Sequence, residues 1–97
     1  SVEPDLIKSV AEYVAAHLNE VKNRKGRITV ASVWSHLDQA DTGELPIMFM
    51  HLFVHPNPKR IARAALELLE ERGVLHRKLS DYAQLADAMG DSGLFHL

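Results

Sequence analysis

Between Asn57 and Lys78 the chain spells out a helix marked at both ends and turning at once into a short strand. This stretch limits the possible folds more than any other. Asn57 suits the N-cap, Pro58 the first helical position, and Gly73 the left-handed residue that closes a helix. At about 100° per residue, Ile61, Ala62, Ala64, Ala65, Leu68 and Leu69 gather on one side. Lys59, Arg60, Arg63, Glu67, Glu70 and Glu71 share an arc of about 120° opposite. An alanine-rich inner face lets a second helix approach closely. Val74 to Lys78 then reads as a strand. With 97 residues there is room for one domain, spanning 1–97.

The remaining elements follow from spacing. Pro4 to about Lys22 repeats apolar residues every three or four positions (Leu6, Val10, Val14, Val21), so one helix is expected there, stopped by Asn23 and Gly26. Arg27 to Val30 is a short β-branched edge strand, and Ala31 to Leu37 a second helix with Val33, Trp34 and Leu37 inward. Asp41 to Gly43 is a loop. Pro46 opens a third helix, Ile47 to Val54, apolar on nearly every side; such a helix is central to a core or part of an interface. After the basic strand, Asp81 to Met89 forms a short helix closed by Gly90, and Leu94 to Leu97 a final strand. The expected class is mainly α with a small β-sheet: four to five helices plus two or three short strands.

Charge is informative through its placement. The net charge is -2, yet ten of the eleven cations fall in three runs. These are Lys22, Arg24, Lys25 and Arg27; Lys59, Arg60 and Arg63; and Arg72, Arg77 and Lys78. In the helix from Pro58, cations occupy the first turn and Glu70 and Glu71 the last. That opposes the helix dipole, a preference of about 0.3–1 kcal/mol per charge. Local rules are broken more often at functional sites than elsewhere. A basic helix start adds to the free backbone N–H groups and forms an anion site. The competing account is an Arg63–Glu67 pair on a solvated face, and the plainer reading of Lys22 to Arg27 is a solvated loop whose bases suit the negative end of the first helix.

The stretch Lys59 to Lys78, above all Ala64-Ala65-Leu66-Glu67-Leu68-Leu69-Glu70-Glu71-Arg72-Gly73-Val74-Leu75, resembles the recognition helix and first wing strand of winged-helix, helix-turn-helix domains. Arg27 to Leu37 resembles that family's short strand and second helix. The likeness covers about half the chain. It implies a recognition helix in the major groove, with Lys59, Arg60 and Arg63 on the groove side and Arg77 and Lys78 on the phosphate backbone. Two departures stand out: the apolar insertion Pro46 to Val54, and an excursion in place of the wing that carries Asp81, Asp87 and Asp91 but no cation.

No motif points to catalysis. His51 and His55 have the i,i+4 spacing of two metal ligands, but Leu52 replaces the Glu of the metalloprotease motif and no third ligand follows. Gly90-Asp91-Ser92-Gly93 copies the surroundings of a serine-protease nucleophile over four residues only, in a chain far too small for that body. There are no cysteines, so disulfides and thiolate metal sites are excluded. No apolar run reaches the roughly 20 residues of a membrane helix. Glu3 and Asp5 leave no basic leader region.

The expected role is therefore a non-catalytic, cofactor-free and metal-free duplex-DNA-binding module of a larger cytoplasmic protein. Its contacts would be Lys59, Arg60, Arg63, Arg77, Lys78, Lys22, Arg24, Lys25 and Arg27. The alternative is a protein-interaction or dimerisation module using Met48, Phe49 and Leu52, where methionine repacks easily against a partner.

Overall fold

The computed structural model describes residues 2–76 with their side chains and the backbone of Arg77, Phe95 and His96. Lys78, the expected helix Asp81 to Met89 and the turn Gly90 to Gly93 lie outside the described residues.

The chain is mainly α-helical. Helix α1 spans Val2–Ala16 and a short α2 spans Leu18–Val21. The single helix expected from Pro4 to Lys22 is thus broken at His17. There the backbone turns to φ -130°, and the imidazole Nδ1 donates to the Tyr13 carbonyl at 2.8 Å while the ring stacks on Tyr13 at 4.1 Å. A side chain that bonds the preceding turn competes with continuation of the backbone ladder.

Arg27–Ile28 forms β1. Thr29 then leaves the strand to cap α3, Val30–Gln39, so the helix is longer and the strand shorter than expected. Thr29 Oγ1 accepts from Ser32 N and Ser32 Oγ accepts from Thr29 N, both at 2.9 Å. This reciprocal pair satisfies two donors at the helix start. A 3₁₀ turn follows at Thr42–Glu44. Helix α4 covers only Phe49–Phe53. Pro46 to Met48 are held in tight i→i+3 bonds, such as Phe49 N to Pro46 O at 2.9 Å, so the α-ladder starts late.

Helix α5, Pro58–Glu71, matches its sequence signals closely. Asn57 Oδ1 accepts from Arg60 N at 3.2 Å. Gly73 sits at φ 77°, and Val74 N and Gly73 N return to the carbonyls of Leu69 and Glu70. This is a Schellman closure, with Val74 packed on the core as its apolar contact. The buried face is Ile61, Ala62, Ala65, Leu66 and Leu69. Leu66 therefore points inward, and Ala64 and Leu68 lie at the margin.

β2 is His76–Arg77 and β3 is Phe95–His96. The strands pair antiparallel in the order β1-β3-β2, with Arg27 opposite His96 and His96 opposite His76. At two residues each they fall short of the sheet that a winged helix implies.

The core forms where α1 lies along α5, with α3 and α4 closing the sides. Leu6, Val10, Val14, Ile28, Phe49, Leu52, Ile61, Leu66 and Leu75 are fully enclosed. Glu3, near the start of α1, touches Arg60, near the start of α5. The two helices therefore run in the same sense. The sheet and the Lys22–Arg27 turn sit at the opposite end, where both helices finish.

Candidate interaction surface

The start of α5 does not carry the concentrated positive charge expected of it. Arg60 Nη1 lies 2.8 Å from Glu3 Oε1, and Arg63 Nε donates to Glu67 Oε1 at 3.0 Å. Of the three expected cations, two are matched by carboxylates, and Lys59 is exposed beside them. The Arg60 hydrogen bond, then that of His55, lowers the Glu3 pKa, and Glu3 in turn holds Arg60 more firmly protonated. The sequence could not disclose this pairing, because Glu3 reaches Arg60 only through the packing of α1 on α5.

His55 is drawn into the same cluster. Its Nδ1 accepts from Asn57 N at 2.9 Å and its Nε2 faces Glu3 Oε2 at 3.4 Å. An acceptor Nδ1 places the neutral ring's proton on Nε2, aimed at the carboxylate. His51 points to solvent. Both ring nitrogens of His55 thus serve the α1–α5 junction rather than a shared site with His51. Among the described residues no group of three or more His, Asp or Glu side chains is placed to hold a metal ion.

The alternative contact set, Met48, Phe49 and Leu52, is corrected. Phe49 and Leu52 are core residues, 1% and 0% exposed, and Met48 packs partly against them. Helix α4 has one apolar side buried and the other facing water, with His51 as its one polar residue. The outward side carries Ile47 at 86%, Val54 at 80%, Met50 at 68% and Phe53 at 41% exposure. Scattered exposed apolar residues are ordinary; here four large ones fall on one short turn-and-helix. Next to them a groove of about 420 Å³ opens between the 3₁₀ turn and α4, lined by Leu45, Pro46, Phe49, Met50 and Phe53. Trp34 of α3 supports its edge, with its ring 6.0 Å from that of Phe53 in edge-on contact.

The segment that carries this surface holds charge of one sign. From Ile28 to Pro58 the sequence holds Asp38, Asp41 and Glu44 and no Lys or Arg. All three carboxylates are on exposed residues.

Lys22, Arg24 and Lys25 are exposed at the other end of the molecule and Arg27 is half-buried. Arg77 enters β2, and Lys78 lies outside the described residues. The nine expected nucleic-acid contacts therefore do not form one surface: Arg60 and Arg63 are tied to carboxylates at one pole, and the Lys22–Arg27 run stands at the other. Among the described residues no helix is long and apolar enough to cross a membrane. No family model, curated protein or solved structure matches this chain.

Proposed function

We propose that this domain is a non-catalytic protein-interaction module that docks a partner on the outward face of α4. The observation that carries the proposal is the exposure of Ile47, Met50, Phe53 and Val54 beside an apolar groove. Burying such side chains on association returns roughly 25 cal/mol per Å² of apolar area, before the cost of ordering the partners. The flanking Asp38, Asp41 and Glu44, with no cation between Arg27 and Lys59, favour a partner segment that is apolar on one side and basic beside it. A cationic amphipathic helix fits that description. Two copies meeting through this face would set like charges together, which favours a different chain as partner. A winged-helix kinship and a cytoplasmic setting belong to the same proposal; the kinship is supported by the element order and by α5 turning straight into β2.

Trp34, the sole tryptophan, reports docking because it abuts Phe53. A helix-forming Leu/Lys peptide is titrated against the domain while Trp34 fluorescence is read, with a Leu/Glu peptide of the same pattern as control. The Leu/Lys peptide is expected to shift the emission saturably, and the double variant Ile47→Ser, Met50→Ser to abolish the shift with unchanged helicity. Equal binding of both peptides, or undiminished binding by the variant, would refute the docking face. A mass that rises with concentration and is lost in the variant would replace the foreign partner with a second copy.

A further inference from the structure

The opposite pole has a different chemistry. From Val21 to Leu37 the chain contains no Asp or Glu. Its Lys22, Arg24, Lys25 and Arg27 bring +4 to a chain of net charge -2, so the other residues together carry -6. A local run of cations can recruit an anion that the net charge would repel.

The four cations sit on a hydrogen-bonded turn. Asn23 Oδ1 accepts from Lys25 N at 2.9 Å and Arg27 N at 3.0 Å, and Asn23 N donates to Arg27 O at 2.8 Å. Gly26 supplies the positive φ of 74° that the turn needs. A turn held this way loses little backbone entropy on binding. Among the described residues none of the four cations is in an ion pair. This is the reverse of Arg60 and Arg63.

Beside the turn a groove of about 450 Å³ runs between α2 and α3. Lys22, Asn23, Ser35, His36 and Gln39 line it, with Gln39 Nε2 donating to Ser35 Oγ at 3.3 Å, and Glu20 is its one carboxylate. Asp38 does not line the groove and lies toward Trp34 on the helical wheel. In the strand register Arg27 stands opposite His96 and His96 opposite His76.

We infer that the Lys22–Arg27 turn and the adjoining α2–α3 groove bind the phosphodiester backbone of a nucleic acid. The turn grips phosphates, and Ser35 and Gln39 offer neutral donors and acceptors to whatever lies along the groove. This surface is separate from the α4 face and does not depend on it. It also differs from the α5 contact that a winged-helix likeness implies.

The test uses a fluorescently labelled 20-base-pair duplex and the corresponding single strand, with anisotropy read at several salt concentrations. Neutralising three to four phosphates gives a log–log salt slope of about -3 for duplex and about -2 for single strand. Affinity for duplex should thus fall by roughly 60-fold between 50 and 200 mM salt. The variant Lys22→Glu, Arg24→Glu, Lys25→Glu is expected to lose binding with an unchanged circular-dichroism melt, and Lys59→Glu, Arg63→Glu to retain it. Absence of binding by the unaltered domain at 50 mM salt would overturn the inference. So would loss of binding in the α5 variant with retention in the turn variant. Tighter binding to phosphatidylserine vesicles than to either oligonucleotide would reassign the surface to a membrane.

Discussion

Glu3 and Arg60 meet at 2.8 Å across the junction of α1 and α5, and His55 completes the cluster through the other carboxylate oxygen. The pair fastens the two principal helices at their common start and removes Arg60 from the basic face on which it stands in the sequence.

The pair has a pH signature. Glu3 has its pKa lowered by the Arg60 hydrogen bond first and the His55 bond second. A depressed carboxylate contributes stability that is present above its unfolded pKa and lost as pH falls through its folded pKa. Glu3→Gln is therefore expected to leave the melting temperature less dependent on pH below about 4.5, the ordinary value for this group. The effect is modest because the pair is half-exposed. Parallel acid-side melting curves for the variant and the unaltered domain would disprove this role.

The two sides of α4 should respond oppositely to truncation. Phe49→Ala removes a fully enclosed ring and is expected to cost about 3–5 kcal/mol. Ile47→Ser and Met50→Ser remove outward side chains and should stay within about 0.5 kcal/mol. Urea unfolding of the three variants measures the difference. Comparable losses would mean that the outward face is packed in the isolated domain.

Gly73 is needed for its backbone conformation and not for space. Its φ is 77°, and a Cβ built there meets nothing within 4 Å. Gly73→Ala is expected to cost about 1–2 kcal/mol through left-handed strain alone, and Gly73→Asn less, because asparagine tolerates that region. Chemical denaturation ranks the two. An alanine variant as stable as the unaltered domain would refute the Schellman closure of α5.

Tyr13 is expected to contribute to the alkaline side. Burial first, then the nearby charges of Glu20 and Glu44, raise its pKa above the usual 10.0, and its hydroxyl lies 2.8 Å from His36 Nε2. A raised pKa gives stability that is fully present below the unfolded value and lost as pH rises through the folded one. The melting temperature is expected to decline above pH 10 in the unaltered domain and more gently in Tyr13→Phe. An identical decline in both would remove Tyr13 as the cause.

Asn57, Pro58 and Gly73 announced α5 because their effects are local: a side-chain cap, a fixed φ and a left-handed closure act within a few residues. The apolar spacing of Leu6, Val10 and Val14 marked the buried stripe of α1 for the same reason. The break at His17 was hidden, since Leu18 and Val21 continue the helical period and only the imidazole's bond to Tyr13 O interrupts the ladder. Likewise, a segment such as Ile47 to Val54, whose one polar residue is His51, carries too little polar character from which to read its orientation. Packing alone turned Phe49 and Leu52 inward and Ile47 and Met50 outward. The basic character of Arg60 was decided at the same level. The sequence by itself determined where helices start and stop, because those signals are short-range. Which carboxylate meets which cation, and which apolar side stays in water, was decided only by the tertiary structure. Both depend on how α1, α4 and α5 are brought against one another.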